Sequence, residues 1–267
     1  MSATHRIALS AAAALLIAGC GAEPPRIRFA PDGTDVARLR TEFPLTDAER
    51  LALTPESVKR LNQAELDQIY LRLESGPIPD GPFRGDLFFP RDARKDVRLG
   101  ELEGVQRDSL GTLAAMRLEN LGRMLWRGKV FFRSQGVLRN RIEDIAILRP
   151  LIPEAHTIPK LTFDGQTTWL LFPAALSCGE SRLDATRKSI VIDYAKGPTI
   201  EGYREIPDRL AGPDRLEIRD EVRVVRPGFY LGRAYFRGEF GLNFTLFDPA
   251  AAAVPTPQPT GDCTQPT

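Results

Sequence analysis

Two acids and an arginine draw attention in residues 188–248, because strand alternation places them among aliphatic neighbours. In Ile218-Arg-Asp-Glu-Val-Arg-Val-Val225, the positions Ile218, Asp220, Val222 and Val224 share one face, and Arg219, Glu221, Arg223 and Val225 the other. The first set has the character of a core face, which leaves Asp220 a carboxylate among aliphatic groups. A charge there must be paired, hydrogen-bonded or neutralised. Arg233 is the partner that the pattern offers, between Leu231 and Tyr235 on one face of the next run, across the turn at Pro227-Gly228. Asp193 lies on a run with Ile190 and Ile192, and Lys129 and Arg141 are basic residues able to point inward as well. The other charges of 218–225 fall on the opposite face, which reads as the solvent side.

Such a cluster can orient the polar end of an amphipathic ligand in an otherwise apolar cavity, or it can be a satisfied network that closes one end of the fold. Catalytic chemistry has little material. Asp220 and Glu221 point to opposite faces, so they are no acid/base pair. His156, in Pro153-Glu-Ala-His-Thr-Ile-Pro159, has no Ser or Cys set beside it in a triad pattern. There is no Gly-rich phosphate loop between a strand and a helix, and no Cys-x-x-Cys pair. No catalytic residue, metal ligand or cofactor is assigned. Gly228 and Gly232 suit a turn and close packing.

The elements that must hold these residues are mostly strands. Phe83 to Phe89, Trp126-Arg-Gly-Lys-Val-Phe-Phe132, Gly136 to Ile142 and Asp144 to Leu148 are β-prone runs, the last ended by Pro150 and Pro153. Leu161-Thr-Phe163 and Thr167 to Phe172 flank Asp164-Gly165, a strong hairpin signal. Ser189 to Tyr194, Ile218 to Val225, Gly228 to Phe236 and Leu242 to Phe247 complete about nine or ten strands. With short turns and no helical crossovers, they predict antiparallel pairing in a barrel or sandwich. Phe131, Trp169, Phe172, Tyr235 and Phe244 form an aromatic set expected inside. Capping-box spacing starts helices at Thr46-Asp-Ala-Glu49 and Asn62-Gln-Ala-Glu65. After the second, Leu66, Ile69, Tyr70 and Leu73 make one apolar stripe. A further amphipathic helix is expected over about 108–125, inserted between the first strand and the run that starts at Trp126, with Leu110, Leu113, Leu118 and Leu121 on its apolar face.

Residues 1–19 have an export-signal layout: Arg6, then an apolar run from Ile7 to Ala18, too short to span a bilayer as a helix. Leu16-Ile-Ala-Gly-Cys20 resembles the lipobox of bacterial lipoproteins. That resemblance implies cleavage before Cys20, lipidation of Cys20 with palmitate-like acyl chains, and anchoring in the cell envelope. Gly21 in place of Asp implies the outer membrane, facing the periplasm. Using Cys20 leaves Cys178 and Cys263, an even pair in an oxidising compartment, either disulfide-bonded or two free thiols. Residues 20–44, rich in Pro, Gly and charge, read as a flexible tether, and 249–267 as a low-complexity tail. The chain has 36 basic and 35 acidic residues; without the leader they balance, which disfavours nucleic acid as a partner.

Pro79-Asp-Gly-Pro-Phe-Arg-Gly85, Leu125-Trp-Arg-Gly-Lys-Val-Phe131, Ile192-Asp-Tyr194, Ile218-Arg-Asp-Glu-Val-Arg223 and Pro227-Gly-Phe-Tyr-Leu-Gly-Arg233 together resemble an uncharacterised bacterial family of calycin-like, that is lipocalin-type, barrels. Phe83 stands near where a lipocalin opening carries Trp. The resemblance implies a fold and no catalytic residues. The expectation is a mainly β protein: one antiparallel calycin-like barrel over 45–248, with N-terminal helices and one inserted helix. Its expected role is to bind a small apolar or amphipathic ligand at the membrane, with Asp220, Arg233, Asp193, Tyr235 and Trp169 as the ligand-binding set. A packed barrel acting as an envelope scaffold is the alternative. An enzyme acting on a lipid-like or carbonyl substrate comes third.

Overall fold

The computed structural model describes residues 26–89, 125–143, 152, 154–254 and 261–264. Nine strands form one antiparallel sheet: β1 (Gly81–Phe88), β2 (Trp126–Phe132), β3 (Val137–Ile142), β4 (Lys160–Phe163), β5 (Gln166–Glu180), β6 (Lys188–Asp193), β7 (Ile218–Arg226), β8 (Phe229–Phe236) and β9 (Glu239–Phe247). Eight of them close on themselves. β1 pairs both β2 and β9, and β3 reaches past β4 to pair β5, so no edge is left in the ring. β4 is the short arm of the Asp164-Gly165 hairpin, paired with the start of β5. The architecture is the expected mainly β one, a closed eight-stranded antiparallel barrel with a few short helices. Closure leaves the eight-stranded ring without a free edge strand.

Alternation then sorts the side chains. Phe131, Leu138, Ile190, Ile192, Val222, Val224 and Leu246 fill the interior. Phe83 meets Phe131 and Tyr230 edge-on, with centroids 5.6 Å apart in both pairs, and these rings fill the end of the barrel near the β7–β8 turn. Two rings can enter only because glycines face them. A Cβ on Gly85 would lie 2.3 Å from the Trp126 ring, and one on Gly232 would lie 2.2 Å from Phe244.

Among the described residues four helices precede the barrel: α1 (Val36–Glu42), α2 (Asp47–Ala52), α3 (Pro55–Val58) and α4 (Gln63–Arg72). Both expected capping boxes are formed, Thr46 with Glu49 and Asn62 with Glu65. The α4 stripe Leu66, Ile69, Tyr70 and Leu73 is wholly buried in a second core, with Val225, Phe229 and Leu231 from the outer face of the barrel. That contact corrects one expectation. The outer face of β7 is not a solvent face, because the helices cover it: Glu221 and Arg223 are fully buried. Arg223 donates to Ser189 Oγ (3.1 Å), the Tyr70 carbonyl (3.1 Å) and the Arg187 carbonyl (3.1 Å), and pairs with Asp184 at 3.4 Å. Burial works to raise the Asp184 carboxyl, but hydrogen bonds from Thr186 and the charges of Arg40 and Arg223 hold it below the ordinary value.

A second correction concerns the tether. Residues 26–44 are packed rather than loose: Leu39 is buried, and Gln68 of α4 both donates to and accepts from the backbone of Ala30. Arg72 donates to the carbonyls of Arg28 and Phe43, binding the segment from beneath. Charge and proline content hid this, because the contacts are made to backbone atoms. The helix expected over 108–125 lies outside the described residues except at its last position, as do the strand expected over 144–148 and the parts of the tail at 255–260 and 265–267.

Cys178 of β5 and Cys263 are joined by a disulfide, with Cα atoms 5.8 Å apart and a sequence separation of 85. Cys263 also donates its backbone N–H to Ser75 Oγ, at 2.6 Å. For a loop this long, chain entropy gives roughly 4–5 kcal/mol, less any strain. The double variant Cys178→Ser/Cys263→Ser is therefore expected to lower the unfolding free energy measured in urea by about 4 kcal/mol while keeping β-rich circular dichroism. An unchanged stability would show that the disulfide contributes nothing to it.

Candidate functional site

Inside the barrel, between the packed end and the opposite rim, five polar or aromatic side chains meet. β2 supplies Trp126 and Lys129, β3 supplies Asn140, β7 supplies Asp220, and Tyr194 follows directly after β6. A β-bulge between Trp126 and Gly128 shifts the alternation of β2, so that Trp126 and Lys129 both face inward. Asn140 lies between the inward Leu138 and Ile142, and Tyr194 continues the inward row of Ile190 and Ile192.

Lys129 Nζ donates to Asp220 Oδ2 (2.8 Å), the Tyr194 hydroxyl (2.6 Å) and Asn140 Oδ1 (3.0 Å). Trp126 Nε1 donates to Asn140 Oδ1 at 2.8 Å. Trp126 and Lys129 can only donate, so Asn140 must present its oxygen to them. Its amide nitrogen then donates to the Phe172 carbonyl (3.1 Å) and to the Tyr194 hydroxyl (2.9 Å). Tyr194 donates its own O–H to Asp220 Oδ2, at 3.2 Å. The ammonium also lies over the rings of Trp126, Tyr194 and Phe244, at 5.5, 5.3 and 5.3 Å.

Burial dominates the electrostatics. It lowers the Lys129 ammonium, against the opposing pull of the Asp220 charge and hydrogen bond. It raises the Tyr194 hydroxyl well above the usual phenol range, helped by Asp220, so that Tyr194 stays a donor.

This cluster forms one wall of a cavity of about 170 Å³. The remaining lining is apolar, led by Phe172, Phe236, Leu242 and Phe244, with the small side chain of Ala234 beside Asp220. Toward the rim, Leu87, Leu216 and Ile218 keep part of their surface exposed, and Leu210 is 36% exposed. The cavity has room on the order of ten water-sized groups.

Of the expected ligand-binding residues, only Asp220 lines this cavity, and its partner is Lys129 rather than Arg233. The hairpin register explains the correction: Asp220 faces Ala234, while Arg233 faces Glu221 and so shares the outer surface. There Arg233 pairs with Asp67 of α4, donates to the Tyr235 hydroxyl (3.2 Å) and stacks 4.2 Å from the Phe240 ring. Tyr235 is buried on the same outer side, under Arg182. Asp193 is half-buried at the end of β6, where it caps the next turn by accepting from the Ala195 N–H at 3.0 Å. Trp169 packs against the core from β5 beneath Lys160, away from the cavity lining. Arg141 points outward from Asn140. It donates to the Phe83 and Arg127 carbonyls and lies 4.9 Å from the Phe163 ring; burial, aided by Arg84, lowers it to about 10. His156 is exposed. Asn140 and Tyr194 were missed, although the i±2 rule that singled out Asp220 applies to both.

No protein family, curated protein or solved structure compared with this chain matches it.

Removing one partner of a buried pair strands the other, at about 3–5 kcal/mol, whereas replacing both with apolar groups is often neutral. Lys129→Met is accordingly expected to destabilise the protein by about that much in urea unfolding, and Lys129→Met/Asp220→Leu to recover most of the loss. A double variant as unstable as the sum of the single ones would refute the coupling.

Proposed function

We propose that this protein is a lipid-anchored binding protein of the bacterial cell envelope that holds one small, largely apolar ligand inside its barrel. The observation that carries the reading is the apolar cavity with a single polar wall. Eight-stranded barrels are either filled by their own side chains or hold one small ligand. A cavity beside a polar cluster whose donor hydrogens are all engaged fits the second use better than a packed envelope scaffold. Apolar lining supplies affinity, and a few fixed polar groups supply orientation. The cluster also suits binding more than turnover, because its lysine and tyrosine are engaged with each other and with Asp220 and Asn140.

The anchor rests on the lipobox-like Leu16-Ile-Ala-Gly-Cys20, and outer-membrane placement on Gly21. Two or three acyl chains hold a protein durably at a bilayer where one does not. The motif likeness to calycin-like bacterial proteins is part of the same reading.

Cys20→Ser is expected to abolish incorporation of labelled palmitate and to move the protein from the membrane to the soluble fraction. Continued membrane retention of the variant would end the anchor reading. Native mass spectrometry of the wild-type protein, purified from its own membrane, is expected to show a stoichiometric adduct of low mass. Ala234→Leu, which places bulk beside Asp220, is expected to abolish that adduct with less than about 3 kcal/mol lost in stability. An adduct retained in the folded variant would place the ligand elsewhere.

A further inference from the structure

From the hydrogen-bond balance of the cavity wall we infer that the ligand is a neutral hydrogen-bond donor, an alcohol or phenol, whose O–H bonds to Asp220 Oδ1. The inference rests on the binding role proposed above and narrows its chemistry. At first sight the buried lysine suggests a carboxylate or carbonyl ligand. The geometry argues otherwise, because the donors of the cluster are already used. All three ammonium hydrogens of Lys129 are directed to Asp220, Tyr194 and Asn140. Both amide hydrogens of Asn140 go to Phe172 and Tyr194, the indole N–H of Trp126 goes to Asn140, and the Tyr194 proton goes to Asp220. A carbonyl or carboxylate entering the cavity would find no donor hydrogen to accept.

The acceptors are not used up. Both bonds to Asp220 end on Oδ2. Oδ1 has no hydrogen-bond partner among the described residues, on a residue that is 4% exposed and lines the cavity. An unpaired carboxylate oxygen in an apolar chamber is a strong acceptor, and it selects for what can donate to it.

Charge narrows the choice further. Lys129 and Asp220 neutralise each other at 2.8 Å. An ammonium ligand would bring a second positive charge beside Lys129, and a carboxylate a second negative charge beside Asp220. Both would be buried without a counterion of their own. A hydroxyl group donates to Oδ1 and leaves the balance of charge intact. The rest of such a ligand, on the order of ten non-hydrogen atoms, would lie against Phe172, Phe236 and Phe244.

The test is a matched series of one-ring probes on the purified full chain: benzyl alcohol, acetophenone, benzoate, benzylammonium and toluene. Binding is read by saturation-transfer NMR and by tryptophan fluorescence. Benzyl alcohol is expected to bind about tenfold more tightly than acetophenone or toluene, the factor that one hydrogen bond to a charged acceptor supplies, and the two ions more weakly still. In Lys129→Met/Asp220→Leu the preference is expected to fall to the level of toluene, with toluene binding retained. Acetophenone or benzoate binding as tightly as the alcohol would overturn the donor assignment and leave the carrier role standing. No binding by any probe, toluene included, would instead overturn the carrier role, and this inference with it. If the double variant does not fold, the ranking on the unmodified protein decides alone.

Discussion

A lysine and an aspartate sealed inside a barrel impose a condition on everything around them. Moving both charges out of water costs several kcal/mol for each ion, and their mutual attraction offsets that only with good geometry and with every remaining hydrogen bond made. Here residues from distant parts of the chain meet the condition for the ammonium, while Asp220 Oδ1 stays unpaired among the described residues. Trp126 and Lys129 come from β2, Asn140 from β3, Tyr194 from the end of β6 and Asp220 from β7. These contacts exist only when the ring of strands is closed, so the pair makes barrel closure and polar satisfaction one event. The same requirement keeps bulk away from one side of the cluster, where small Ala234 and the glycine at 232 leave space for the Phe244 ring and for the cavity.

The outer face repeats the arrangement with different partners. Arg223 lies between the barrel and α4, 4.8 Å from the Tyr70 ring, and is bound by Ser189, Asp184 and two carbonyls. Because β7 carries Asp220 inward and Arg223 outward, one strand links the cavity wall to the helical layer. The disulfide ties the C-terminal segment to β5, and Cys263 also bonds Ser75, just after α4. The helices therefore do more than decorate the barrel: they remove from water a strand face that is rich in charge.

How much of the site could be read in advance depended on which rule governed each residue. Asp220 was legible because alternation is local, and Ile218, Val222 and Val224 declared its face. Lys129 was named only as a candidate, although it shares a face with the inward Phe131; the residue that no local pattern reveals is Trp126, which the bulge between Trp126 and Gly128 turns to the same side. Arg233 was misassigned because pairing was judged by nearness across a turn. Facing residues are set by hairpin register, and a one-residue difference moves a side chain to the other surface. Tyr235 followed it outward for the same reason.

Local chemistry in the chain determined the strand runs, the two capping boxes, the α4 stripe and the inward face of β7, because propensity, caps and alternation act over a few residues. It also carried the signal-like leader and the lipobox resemblance, which are linear motifs. Tertiary structure alone decided what Asp220 is bonded to, which charges on the outside are covered, and that a cavity remains beside the cluster. Those properties depend on register, closure and the volume left between side chains from strands far apart in sequence, and no short stretch of residues contains them.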